Sequence, residues 1–203
     1  MSTTQTRTSL VPIQQLVARL EELGEADFLT IQQPLAVLRT YPVDQESLQP
    51  YLFWNAQHYT RNLIHRTELY ELLAICWEVG MRSSIHNHKN QNCWMAAPIG
   101  KLAVQNYKVL EEDLSAQTCN IVPTDLVEIT DASPAAVDPA NPVHDVRNPK
   151  EWNQRAVSLH LYSRPFNSCV VYSCEQHTCG EIGLHYTSMY GKLVQEPTAG
   201  QAT

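Results

Sequence analysis

Nothing in this chain approaches the run of about 18 apolar residues that a membrane helix needs, so a membrane-spanning protein is not expected. The opening, MSTTQTRTSL, lacks the apolar stretch of a secretory signal, and a cytoplasmic location is the expectation. Positive charge is also short. Fourteen Lys and Arg stand against 21 Asp and Glu, a formal net charge of −7, which removes the electrostatic basis for nucleic-acid binding. The six cysteines form no CxxC pair, which argues against a zinc ribbon. Secreted disulfide scaffolds are normally shorter and denser in cysteine, so free thiols are expected. There is no internal repeat and no low-complexity tract. What remains is a 203-residue chain that is 43% hydrophobic, enough for one soluble domain with a real core.

The apolar pattern changes along the chain. Residues 11–24, VPIQQLVARLEELG, place Ile13, Leu16, Val17, Leu20 and Leu23 at helical spacing, with Pro12 in the first turn and Gly24 as a stop. Residues 33–41 suit a second short helix. After Tyr51 the runs 68–79, 93–110, 156–163 and 169–175 are short, rich in β-branched and aromatic residues, and divided by Gly, Pro or Asn, which is a strand pattern. Residues 130–142, TDASPAAVDPANP, form a turn-rich loop. The expected organisation is a helical segment at 1–50 packed on a mainly β barrel or sandwich at 51–192, followed by a flexible tail at 193–203.

SSIHNHKNQNCW, at 83–94, carries the first chemical signal. In a strand, His86 and His88 point to the same face. A divalent metal needs several lone pairs converging within about 2.0–2.2 Å. The best third ligand is His144, in NPVHDVRN, where the Pro-rich loop closes and another apolar stretch begins. Three neutral imidazoles leave the full charge on the ion. The common non-haem iron site uses two His and a carboxylate; with none here, an anionic substrate atom such as a thiolate could complete the set.

The spacing resembles the two cupin motifs: Gly80, His86, His88, Cys93 and Gly100 in the first, and Pro139, Asn141, His144 and Asn148 in the second. Cys93 stands where cupins usually have Glu. Asn141 stands where they usually have Gly, and Asn is the next best residue at positive φ. The blocks YTRNL (59–63), CWEVGMRSSIHNH (76–88) and AVSLHLYSRPF (156–166), with Cys93 and Cys169, further resemble the cysteine dioxygenase family over roughly residues 50–190. That resemblance implies a cupin fold, a short β-barrel or jelly roll. It also implies a mononuclear Fe(II) enzyme that adds both atoms of O₂ to cysteine sulfur, giving cysteine sulfinate without an organic cofactor.

By the same resemblance His86, His88 and His144 are the iron ligands. Arg61 pairs with the substrate carboxylate, for which its planar fork is suited, and Tyr59 helps to place it. Tyr162 is the active-site tyrosine, and Ser158 and His160 share its strand face, so a Ser–His–Tyr relay is expected. Cys169 lies near the pocket mouth. Cys93 corresponds to the cysteine that animal-type members join to that tyrosine by a thioether, and this chain has both partners. His58, His65, His177 and His185 fit no motif, and Cys76, Cys119, Cys174 and Cys179 read as packing thiols.

One block departs from the family. Where it often has Ser-Pro-Pro-Phe with a cis bond before the first proline, this chain has Ser163-Arg164-Pro165-Phe166. A cis bond before a non-proline residue costs several kcal/mol, so a trans bond is expected before Arg164. If Arg164 also faces the iron, two arginines could serve 3-mercaptopropionate or a dicarboxylate thiol such as mercaptosuccinate. The competing classes are a zinc or nickel cupin acting as a hydrolase or isomerase, and a non-catalytic thiol-binding cupin. A small thiol and O₂ are the expected partners, and a monomer the expected state.

Overall fold

The computed structural model describes residues 9–194; from residue 195 onward, the tail expected at 193–203 lies outside the described residues. Four short helices come first: α1 (Ile13–Glu21), α2 (Glu25–Phe28), α3 (Gln32–Thr40) and α4 (Gln45–Leu48). Thirteen strands follow: β1 (Thr60–Arg66), β2 (Glu71–Trp77), β3 (Ile85–His86), β4 (Asn92–Ile99), β5 (Leu102–Asp113), β6 (Thr118–Ile129), β7 (Ala135–Ala136), β8 (Val143–Arg147), β9 (Ala156–Ser163), β10 (Ser168–Ser173), β11 (Thr178–Gly183), β12 (Ser188–Met189) and β13 (Lys192–Leu193). This is the mainly β cupin architecture with short helices at its start. One sheet runs β13-β12-β1-β2-β9-β4-β7, and the other six strands join in the order β10-β11-β6-β5-β8-β3 as a closed barrel. Among the described residues no helix is long and apolar enough to cross a membrane.

Strand parity places the two apolar layers. On β2, Leu72, Ala74 and Cys76 join Ile13, Leu16, Leu20, Phe28 and Leu48 in the layer beneath the helices. Their neighbours Leu73, Ile75 and Trp77 join Leu63 and Met95 of the same sheet and Val104 and Val146 of the barrel strands in the layer between the two. β9 divides likewise, with Leu159 and Leu161 outward and Ala156 and Tyr162 inward. A strand covered on both faces is selected for continuous apolar content rather than alternation, which is why ELLAICW reads as an unbroken run. Each large side chain so buried contributes about 1.5–3 kcal/mol.

Two local readings change. Gly24 does not stop α1, which ends at Glu21. Gly24 instead precedes α2, where its N–H donates to Asp27 Oδ2 at 2.9 Å. Asn141 is not among the positive-φ residues. Its backbone N–H donates to Asp138 O at 3.0 Å and its side chain to Asp138 Oδ2 at 2.9 Å, so an Asp-centred turn does what a glycine conformation would have done. Gly80 (φ 84°) and Gly100 (φ 69°) do need glycine: a Cβ on Gly100 would meet the Arg155 carbonyl oxygen at 2.7 Å.

Candidate metal centre and pocket

His86 ends the two-residue strand β3 and lies directly across from His144 on β8. His88 follows two residues later, outside the strand and at the start of a tight turn. The His88 carbonyl accepts the Gln91 N–H at 2.9 Å, and Lys89 and Asn90 take positive φ to close that turn. The nitrogen ligand atoms of His86, His88 and His144 all lie within 4.8 Å of one another. Ring centroids are 4.8–5.1 Å apart. No carboxylate joins the group among the described residues.

The donor set fits a divalent metal. His88 and His144 are fully buried, and none of their four ring nitrogens has a hydrogen-bond partner. Such orphaned buried nitrogens are costly unless something else satisfies them. His86 Nδ1 lies 2.9 Å from the Ser84 carbonyl, which can only accept, so Nδ1 carries the proton and Nε2 presents its lone pair. Burial is the main cause that pushes all three histidines below the ordinary imidazole range, reinforced by neighbouring charges at His88 and His144 and opposed at His86 by the Ser84 hydrogen bond, so all three are held neutral. Next to His144, Asp145 turns the other way. It accepts from Tyr107 at 2.7 Å and from Arg82 at 2.8 Å, and pairs with Arg147.

A cavity opens above His86, lined among others by Tyr59, Arg61, Tyr162, Phe166 and Cys169. Parity again explains the company. Arg61 on β1, Glu71 on β2, Tyr162 on β9 and Cys93 on β4 carry the parity of the sheet residues that face inward, toward the barrel strands. Tyr162 is in register with Glu71 on one side and with Cys93 on the other. Its ring lies 5.5 Å from that of His88 and 5.1 Å from that of Phe166. Tyr59 stacks on Trp77 at 4.8 Å. Cys169 is buried, and burial raises its thiol pKa.

The expected relay forms only in part. His160 Nδ1 meets the Tyr162 hydroxyl at 2.9 Å, and burial lowers the His160 pKa to about 3, so that ring is neutral. Ser158, however, accepts the Trp77 indole N–H at 2.9 Å, and His160 Nε2 has no partner. A same-face reading of β9 alone did not include Trp77, which reaches Ser158 from the neighbouring strand.

Arg164 is the larger correction. Its guanidinium pairs with Glu25 on α2, and more than half of its side chain is exposed. The bond before it, Ser163–Arg164, is cis rather than trans. Contacts on both sides override the local preference: Ser163 is paired with Asn92, and the Arg164 N–H donates to the Gln91 side chain. Arg164 therefore does not line the cavity above His86 and supplies no second arginine to it in this structure.

Glu71 and Tyr186, which escaped the sequence reading, stand behind Arg61. The signal for Glu71 was a lone charge at the start of a strand otherwise apolar throughout.

A family model for cysteine dioxygenase type I matches residues 1–175. Cysteine dioxygenase type 1 from Rattus norvegicus is 27% identical over 187 residues, covering 91% of this chain and 90% of its own. The Homo sapiens protein of that name is 25% identical over 186 residues with the same shares. A solved double-stranded β-helix protein from Klebsiella pneumoniae covers 58% of this chain and 81% of its own, with 14% identity and a TM-score of 0.42.

Proposed function

Because this chain belongs to the cysteine dioxygenase type I family, we propose that it is an iron-dependent thiol dioxygenase. It adds both atoms of O₂ to the sulfur of a small thiol carboxylate, with L-cysteine as substrate and cysteine sulfinate as product. The observation that carries the reading is a cluster of three neutral histidines without a carboxylate, one of which, His86, lines a cavity together with a largely buried Arg61 beside Tyr162.

His86, His88 and His144 would hold the iron, which when bound would supply Lewis-acidic and redox chemistry at the floor of the cavity. Arg61 takes the substrate carboxylate through two parallel N–H bonds, which fixes the distance and direction of the sulfur. Its guanidinium carbon lies 5.9 Å from the Tyr162 ring centroid, so carboxylate and phenol flank the same space. Burial raises the Tyr162 pKa well above the ordinary phenol range, so the hydroxyl stays protonated and remains a donor. His160 orients that hydroxyl through the 2.9 Å contact. Phe166, Tyr59 and Cys169 narrow the entrance and limit water.

Cys93 and Tyr162 are direct cross-strand neighbours on the inward face. We read them as the partners of a thioether formed with loss of two hydrogen atoms to an oxidant, O₂ under turnover. The intact mass after aerobic turnover should fall by those two hydrogens, and Cys93→Ala should abolish the loss; an unchanged mass after exhaustive turnover overturns the link.

The test of the reading is oxygen uptake by the Fe(II) protein with a panel of thiols under ¹⁸O₂. A sulfinate carrying two heavy oxygens is expected from cysteine. No uptake with any thiol would favour a hydrolytic or isomerising cupin loaded with zinc or nickel, or a binding protein without turnover.

A further inference from the structure

Resting on the reading of Arg61 as the carboxylate-binding group, we infer that Glu71 is a positioning residue. It is a buried counter-charge that holds the Arg61 guanidinium in the pocket wall and so sets selectivity for thiols carrying one carboxylate.

Glu71 is fully buried at the start of β2, on the inward face. One of its oxygens is clamped from behind. Oε2 accepts the Tyr186 hydroxyl, and Tyr186 in turn accepts an N–H from Arg66 at 3.0 Å. Arg66 itself lies 3.8 Å from that oxygen. The other oxygen, Oε1, has no hydrogen-bond partner and lies 4.0 Å from Arg61 Nη2. Arg61 is equally unfinished: its Nε is buried without a partner, and its guanidinium carbon is 5.9 Å from the ring centroids of both Tyr162 and Tyr186.

At 4.0 Å the pair attracts by charge without a hydrogen bond, so Glu71 holds the guanidinium while leaving its N–H donors for a ligand. Two arginines against one glutamate leave a single surplus positive charge, which one substrate carboxylate neutralises. A buried cation with no counter-charge is strongly disfavoured. The exposed groove beside the cavity, bordered by His58, His185 and Leu193, reaches Arg61 and offers it a route to water. Without Glu71 the guanidinium has reason to take that route.

The test uses the full iron-loaded chain as wild type, Glu71→Gln, Glu71→Asp and Tyr186→Phe. Cysteine and 3-mercaptopropionate carry a carboxylate; 2-mercaptoethylamine carries none. Oxygen uptake gives KM and kcat, and thermal shift on anaerobic addition of each thiol gives binding without turnover. Glu71→Gln should raise KM for both carboxylate thiols by at least roughly tenfold with kcat changed by less than about threefold. It should also abolish their thermal shift while leaving that of 2-mercaptoethylamine intact. Glu71→Asp should recover part of the loss. Tyr186→Phe, which frees the back of the carboxylate, should weaken the same two thiols, and it carries the test if Glu71→Gln does not fold. Equal weakening of all three thiols, or an unchanged or lower KM for the carboxylate thiols, overturns the inference. A wild type that turns over no thiol overturns the dioxygenase reading instead, and the carboxylate-selective thermal shift still judges Glu71.

Discussion

Replacing His144 with alanine should strip the metal and cut thiol-dependent oxygen uptake by at least about 100-fold, since changes only one shell further out already cost up to that much. His144 is the ligand that sequence spacing constrains least, yet it is fully buried and in register with His86. Its removal leaves two imidazoles, too few to retain a divalent ion against water. The protein itself should fold, because β8 remains paired with β5 and its Asp145 still accepts from Arg82 and from Tyr107 on β5. Metal content and melting temperature separate the effects. Chelation of the wild type should lower its melting temperature, because a ligand binding only the folded state at 100 times its Kd adds about 2.7 kcal/mol. The variant's melting temperature should not respond to chelator. Full metal occupancy in His144→Ala would remove this residue from the centre.

Arg61→Ala should lower kcat/KM for cysteine by roughly 30-fold to 1000-fold or more, the effect of about 2–5 kcal/mol when one partner of a buried charge pair is truncated. Most of the loss belongs in KM, because the guanidinium binds the carboxylate in ground state and transition state alike. Arg61→Lys should recover only part, since an ammonium offers charge without the planar fork. The same variant exposes Glu71. Burial, the largest influence, holds the Glu71 carboxyl above its ordinary pKa, while Tyr186, Arg61 and Arg66 pull it back down. Losing Arg61 raises it further. A raised carboxyl pKa means the folded state binds the proton more tightly than the unfolded chain, so stability falls as pH rises through and above the ordinary carboxylate range. Arg61→Ala should therefore lose stability relative to wild type more steeply between mildly acidic and neutral pH, read by denaturant melts. Equal loss at every pH would show that Glu71 does not feel Arg61.

What could be read from the sequence follows from what each signal depends on. His86 and His88 converge as their close spacing suggests, but not by strand alternation, since β3 ends at His86 and His88 reaches the group from outside the strand; β2 and β9 were legible because burial on both faces leaves an unbroken apolar run. β1, β6, β8 and β11 were not read as strands. β6 carries exposed residues over most of its length, so no buried face marks it. Arg164 was misjudged because its partner Glu25 lies 139 positions away on a helix that no pattern had indicated. The Ser158 contact failed for the same reason, its partner Trp77 being on another strand 81 residues earlier. Glu71 shows a different limit: one charge in an apolar stretch marks an anomaly, but only the fold shows that Arg61, Arg66 and Tyr186 converge on it.

The parallel pairing of β1 with β12, Asn62 opposite Ser188, has a consequence for biosynthesis. The carbonyl of Arg61 accepts the N–H of Thr187 at 2.7 Å, so the strand bearing the arginine gains its last neighbour from almost the end of the described chain. A nascent polypeptide has made all three histidines by residue 144, some forty residues before Tyr186 and Thr187 emerge from the ribosome to back the arginine. Neither group is finished at that point: the strand of His86 still awaits Val171 and Tyr172 on β10, and the strand of Arg61 still awaits Thr187 and Ser188, so both halves of the pocket are completed only by the last fifth of the described chain.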